Sequence, residues 1–369
     1  MSRGPASTLV FGPAYLDRII RVDRPLVDPA LCLPPIDRSV DGEWLDDDSG
    51  GLIRLVDPSS ASIVIEPPDE WPGRVGTIAV SRPWLGSVER RVRGVATLDD
   101  LGGMGAGFAS SLGGTLISAL GPGDDPGSRT VVALLALAGI AHESVRIEGH
   151  PADWTLLISS GEHGDKLAVG FRGCHAAWTD FRPWFDRSSR VRVVAALPNR
   201  VVGQALGGAD SSGIRAFFPN ARNMLDRVDP LGGFVDRVDF LSCNRGEWND
   251  LGDQAGALDS VAIVAVTDGP AGASVRFRAE GGGFDEIRVP AFPRLGPIRD
   301  TNRAGEAFAS TMLATLVDAG WTPRAASADL VRVAATRGSA AAALVLGRTE
   351  FGFASASEID EAVENGRVG

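Results

Sequence analysis

Four short apolar runs, at residues 191–196, 214–218, 238–242 and 261–267, recur in the second half of the chain, each followed by a polar or glycine-bearing segment. Runs this short, set apart by stretches long enough for a crossover helix, are what parallel strands buried between helix layers require. Parallel strands all point the same way. The loops at 220–222, 244–247 and 267–272 must therefore emerge at one edge of the sheet, where open α/β sheets bind their ligands. That single constraint predicts an α/β fold and places one cleft over Asn220, Asn244, Glu247 and Thr267.

The first half fits the same plan with interruptions. Residues 8–13 read as a buried strand ending in a Gly-Pro turn, and 14–22 as an alternating segment that puts Asp17 just past a strand end. Residues 98–113 turn from glycine-rich to helical, 115–120 read as a strand and 128–139 as a helix. Two alternating runs, 154–159 and 166–171, joined by the polar turn 161–164, predict a β-hairpin set into the α/β series. Between 23 and 98 the prolines crowd, yet runs at 61–66, 75–80 and 88–93 are strand-like, and Trp44, Trp71 and Trp84 argue for a small β-rich subdomain instead of a linker. The acidic cluster Asp46 to Asp48 reads as a solvated loop.

Composition removes several function classes. A formal charge of −11 disfavours a nucleic-acid or anionic membrane surface as partner. Of the 36 basic residues only Lys166 is lysine, and Leu167 follows it, so no G-x-x-x-x-G-K-[ST] phosphate loop exists. Cys32, Cys174 and Cys243 are far apart and odd in number, as suits reduced thiols, and the four histidines lack metal-ligand spacing. With no apolar run long enough for a signal peptide or a membrane span, a soluble cytoplasmic protein is expected.

The chemistry concentrates at 298–320. From Ala304 the residues favour helix, with Phe308, Met312 and Leu316 on one face and Gly320 placed to end it. The first turn, Ala304-Gly305-Glu306, offers unpaired N–H groups to an anion and sets a carboxylate beside them. Such a pairing suits a reaction in which a hydroxyl loses a proton while phosphoryl charge is stabilised. Taken alone, the stretch favours Glu306 as an ordinary first-turn acid complementing the helix dipole.

Taken in order, these motifs resemble the PfkB carbohydrate kinases of the ribokinase-like fold, over the chain apart from part of the 23–98 region, which reads as an insertion. The resemblance rests on Asp17 after the first strand, Gly102-Gly103 before a helix, the G-D-D loop at Gly123 to Asp125, the N-x-x-E of Asn244 and Glu247, the T-x-G-x-x-G of Thr267, Gly269 and Gly272, and Asp300-Thr-Asn-Arg-Ala-Gly-Glu306 for the signature D-T-x-G-A-G-D. It implies a three-layer αβα core with a mostly parallel sheet (1–14, 99–149 and 179–369), and a small β lid enlarged by the insertion (15–98 and 150–178). It also implies ATP-dependent phosphoryl transfer to a hydroxymethyl group of a sugar or nucleoside. In that reading Glu306 is the general base, Ala304 and Gly305 form the anion hole and Arg303 lies beside the phosphoryl group. Asp17, Gly102, Gly103 and Gly107 bind the acceptor, Asn220, Arg222, Thr267, Gly269 and Gly272 bind ATP, and Glu247 with Asn244 organises magnesium. Lids of this family often pair between subunits, so a homodimer through the extra β material is a further expectation.

The chain departs from the family pattern at four positions. Glu306 replaces Asp, Arg303 replaces the first signature glycine, Gly107 replaces an acceptor-binding Asn, and Phe218 replaces the Asp of D-x-N-x-R, while Asn220 and Arg222 remain. These departures motivate an alternative, a non-catalytic or regulatory ligand-binding protein on the same fold. A third reading, an NAD-linked oxidoreductase, rests on the glycines of 121–127 alone, where Asp124 and Asp125 would oppose a pyrophosphate.

Overall fold

The computed structural model describes residues 8–27, 37–45, 50–83, 89–160, 165–207, 213–299, 301, 303–348 and 350–368. Cys32, Asp46 to Asp48, Trp84, the 161–164 turn, Asp300 and Asn302 lie outside them. The chain enters with β1 (Thr8–Phe11) and then builds β2 (Tyr15–Val22), β3 (Asp37–Trp44), β4 (Ile53–Val56), β5 (Ser62–Glu66), β6 (Gly76–Val80) and β7 (Arg90–Gly102). After α1 (Met104–Leu112), β8 (Thr115–Leu120), α2 (Pro126–Leu137) and β9 (His142–Arg146) come the hairpin strands β10 (Trp154–Ser159) and β11 (Lys166–Phe171), and α3 (Cys174–Ala177). The remainder comprises β12 (Val191–Ala195), α4 (Asn199–Ala205), β13 (Ile214–Phe218), α5 (Ala221–Leu225), β14 (Phe240–Asn244), α6 (Arg245–Leu251), β15 (Ile263–Thr267), β16 (Ala273–Arg278), β17 (Phe284–Val289), α7 (Ala304–Asp318), α8 (Ala328–Val345) and α9 (Ala356–Asn365).

Nine strands form the core sheet in the order β17-β16-β15-β14-β13-β12-β1-β8-β9. It is parallel from β15 to β9, and β16 and β17 add an antiparallel edge. The central strands bury both faces, as their unbroken apolar runs required. One face packs Phe218 and Phe240 with Phe108, Met312, Leu313 and Leu316 of α1 and α7, and the other packs Phe11, Phe217 and Leu241 with Trp178, Val202 and Met224. Two apolar layers over one sheet are the αβα arrangement expected, and they bring the carboxyl ends of β1, β12, β13, β14 and β15 to one edge.

The lid is more than an open sheet. Eight strands close into a barrel in the order β10-β11-β3-β6-β4-β5-β7-β2. Its interior is filled by Ile20, Val40, Ile53, Leu55, Ile65, Ile78, Leu156, Ile158 and Leu167, with Trp44, Trp71 and Trp154 packed against them. The insertion contributes β3 to β6, which seal the lid between β11 and β7. Among the described residues every strand of this ring is paired on both sides, so a pairing between copies through a free strand edge would need the ring to open. The boundaries also move. β7 runs without a break through 99–102, and Cys174 and Trp178 are buried in the core. The lid therefore extends to Gly102, and the chain rejoins the core before 178.

Candidate active site

The site begins where the chain crosses from core to lid. The backbone of Gly12 at the end of β1 touches that of Gly105 in α1 so closely that a Cβ on Gly105 would lie 2.4 Å from the Gly12 carbonyl carbon. Gly103, with φ 101°, caps α1 where any Cβ would sit 2.3 Å from the Pro13 oxygen. This crossing fixes β2 against the end of β7, and Asp17 lies directly across from Asp100 in the ladder. Gly102 forms the floor under Asp17, because a Cβ there would meet the Asp17 carboxyl carbon at 2.4 Å.

Arg303 stands at the head of α7. It holds φ 67°, the left-handed conformation that explains glycine at this place in the family pattern. Its Nη2 donates to Asp100 Oδ2 at 2.8 Å and to the Leu101 carbonyl at 3.2 Å, and its guanidinium lies 4.9 Å from the Phe351 ring centroid. The pair is well enclosed, with side chains 9% and 14% exposed. Three carboxylates converge here, Asp100, Asp17 and Glu306, and Arg303 is the strongest influence lowering the pKa of both Asp17 and Glu306. An arginine in place of glycine thus has an electrostatic reason.

Burial nevertheless prevails over these charges. It pushes Glu306 up to about 7, against the lowering pull of Arg303 and Lys166 and with a further raise from Asp17. Asp17 is pushed up to about 6 by burial, against Arg303, Lys166 and Arg172. Tyr15, the only tyrosine in the chain, rises to about 12 through burial, with the Arg172 guanidinium 4.6 Å from its ring centroid. The Glu306 carboxylate lies on Gly107, where a Cβ would come within 2.5 Å of Oε2. Ala304 and Gly305 form the first turn of α7, where Gly305 is exposed and a Cβ on it would meet no described atom within 4 Å. The first N–H groups of a helix have no partner within the helix, so the head of α7 is a place where an anion could be held beside the Glu306 carboxylate.

The neighbouring strand ends carry the rest. Asn220 caps α5 in a reciprocal box with Asn223, and Arg222 is paired with Asp41 of β3, Nε to Oδ2 at 2.7 Å. Asn244 and Glu247 form a second box at α6: Asn244 Oδ1 accepts from the Glu247 N–H, and Glu247 Oε2 from the Asn244 N–H, both at 2.9 Å. Arg245 and Asp268, 3.2 Å apart, tie that helix head to the turn after β15. There Gly269 takes a left-handed φ of 49°, and Gly272 (φ 89°) holds a position closed to other residues, since a Cβ on it would lie 2.1 Å from the Val289 oxygen. Thr267 bonds weakly to the Cys243 carbonyl at 3.4 Å. Phe218, where the family motif has Asp, is buried and stacked on Phe108 of α1 at 3.8 Å.

Asp17, Gly102, Gly107, Arg303 and Glu306 therefore meet in one place. Asn220 with Arg222, Asn244 with Glu247, and Thr267 with Gly269 and Gly272 occupy three successive strand ends beside it, α7 packing against β14. Gly103 lies beneath, as a backbone joint. Sequence reasoning missed Tyr15, Asp100, Lys166 and Arg172. Only Lys166 carried a signal, as the lone lysine, but nothing in the sequence set its face of β11. The 121–127 loop offers no pyrophosphate site: Asp125 occupies the head of α2, accepting from the Ser128 N–H at 2.7 Å and the Ala152 N–H at 3.1 Å.

No family model matches the chain, and no curated protein matches it in sequence. Solved structures do. The nucleoside kinase of Methanocaldococcus jannaschii, an archaeal member of the ribokinase family, superposes with TM-score 0.64 at 13% identity over 98% of this chain and 100% of its own. The Arabidopsis thaliana ribokinase complexed with ribose and ATP gives 0.63 at 15% identity, over 98% and 99%. The chain has the ribokinase-like fold. The Burkholderia thailandensis nucleoside kinase in complex with inosine matches similarly, with TM-score 0.61 at 15% identity over 98% of each chain.

Proposed function

We propose that the protein is an ATP-dependent kinase that phosphorylates a hydroxymethyl group of a sugar or nucleoside. The observation that carries this reading is the Glu306 carboxylate set beside the helix head of Ala304 and Gly305, within electrostatic reach of Asp17. Ribose, ATP and inosine in the neighbouring structures support the substrate class. Asp17, held over Gly102, accepts hydrogen bonds from acceptor hydroxyls and orients the reacting one. Glu306 removes that hydroxyl's proton as the oxygen attacks the γ-phosphorus of ATP, and the bond to the β,γ-bridging oxygen breaks with ADP as leaving group. The N–H groups of Ala304, Gly305 and Glu306 bind the charge on the transferring oxygens.

Magnesium fits the donors present. Glu247 uses one oxygen in its capping box, and burial, with Asp250 nearby, pushes its pKa up to about 7, so a cation beside its second oxygen would offset a charge held out of water. A hard ion that keeps most of its own waters needs few protein ligands. Bound there, it would supply charge neutralisation to the nucleotide phosphates. Asn244 would act through the box by fixing the Glu247 rotamer.

The test is ADP release across sugars and nucleosides, with Glu306→Gln beside the wild type. Loss of at least about 100-fold in kcat with acceptor binding retained is expected for removal of a general base. Unchanged turnover in the variant would show that Glu306 is not the base. A binding protein without turnover is the second reading, favoured by the commitment of Arg303 to Asp100 at the helix head. Sustained ADP formation removes it.

A further inference from the structure

Helices α1 and α7 touch along a strip of small residues. Ser111 Oγ and Ser310 Oγ are hydrogen-bonded at 2.6 Å, and one turn earlier on each helix Gly107 faces Glu306. Ser310 also donates to the Glu306 carbonyl at 2.7 Å, so the serine pair fixes the register in which the acid approaches α1. At Gly107 an added Cβ would stand 2.5 Å from Glu306 Oε2, 3.0 Å from its Cδ and 3.4 Å from Phe353 Cζ. The colliding atoms are the far end of a side chain and not backbone. A side chain at 107 would displace the carboxylate and leave the helices where they are.

We infer that Gly107 is a positioning residue of the catalytic site: the space left by its missing side chain is the seat of the Glu306 carboxylate. The extra methylene of Glu over Asp and the absence of a side chain at 107 then act as one device, the first carrying the carboxylate across to α1 and the second admitting it. This rests on the kinase reading for its consequence, but the seat itself is a packing relation. The geometry also separates activity from folding. Gly107 lies within a helix and has no positive φ, a backbone in which alanine is the better helix former. Gly107→Ala should therefore cost no stability while moving the base.

Two measurements decide it. With an acceptor in hand, Gly107→Ala is expected to lower kcat on the order of 100-fold, the effect of about 1 Å of misplacement, with KM for ATP unchanged. In a Glu306→Asp background, where the shorter acid no longer reaches the seat, adding Gly107→Ala should cost nothing further. Full kcat in Gly107→Ala, or losses that multiply in the double variant, would overturn the seat. The second measurement needs no substrate. Thermal unfolding of Gly107→Ala, Glu306→Ala and their combination should be non-additive, with the alanine raising Tm on the order of 2 °C when Glu306 is absent and less when it is present. Additive Tm changes refute the seat. A coupled cycle in a protein that turns over no acceptor upholds the seat and refutes the kinase reading.

Discussion

At the scale of single residues, Glu306 carries two opposed demands. Burial raises its pKa from 4.5 to about 7, so between those values the folded protein binds a proton that the unfolded chain releases. By linkage, stability from this group is greatest at the acid end and is lost as pH rises through that window. Asp17 and Glu247, raised to about 6 and about 7, act in the same direction. The proposed catalysis asks the reverse, because a base must be deprotonated, and if Glu306 is that base kcat/KM should climb with pH through about 7. Glu306→Gln removes the titration. Its Tm should gain on that of the wild type as pH rises from 4.5 to about 7, and curves that stay parallel would count against the buried acid. Asp17 and Glu306 were legible from their strand-end and helix-head positions. The Gly107 seat was not, since it depends on how closely two helices approach, and sequence spacing does not encode that distance.

Among elements, the junction that matters is β7 with α7, joined by Arg303 and Asp100. Replacing Arg303 by glycine relieves a left-handed residue, worth roughly 1 kcal/mol, but takes the cation from the Asp100 carboxylate and leaves it the Leu101 N–H at 2.8 Å, at about 3 kcal/mol for a pair this enclosed. The loss prevails, so Arg303→Gly should lower stability by about 2 kcal/mol in a denaturant titration. It also removes the strongest influence lowering Glu306 and Asp17, and the rise of kcat/KM should move to higher pH. An unmoved profile would mean that Arg303 does not face the acids. Elements differed in how far the sequence exposed them. β12 to β15 bury both faces and read as apolar runs, while β9 is half-buried along most of its length and gave no contrast. β16 alternates polar and apolar residues, the edge strand β17 is exposed over its first three residues, and β3 carries charges among its few apolar positions. The N-x-x-E spacing served two readings at once. It is a capping-box pattern as well as a family motif, and the box is what fixes Glu247 in place.

For the whole molecule, β3 to β6, the strands of the expected insertion, close β11, β10, β2 and β7 into a barrel whose described strands are all paired on both sides. If β3 to β6 were absent, the lid would be the sheet β11-β10-β2-β7, with unpaired edges at β11 and β7 and the side chains of Ile20, Leu156, Ile158 and Leu167 uncovered. Such a sheet invites a second copy. In the intact chain those edges are occupied by β3 and β5, and the barrel is tied to the core by Arg222 with Asp41 and by Arg82 with Asp250 at 4.0 Å. These last pairs are exposed and contribute little to stability, on the order of 1 kcal/mol or less each. Their consequence is geometric, since they set the inserted strands beside α5 and α6, next to Asn220 and Glu247. Self-association through the lid should accordingly depend on removing the insertion. Sedimentation of the full chain is expected to show no lid-paired dimer as concentration rises, whereas a variant with residues 24–89 replaced by a short Gly-Ser linker should associate with increasing concentration. A full-length dimer that protects the β7 or β11 amides from hydrogen exchange on association would show that the barrel opens to pair, and that the insertion has not replaced a partner.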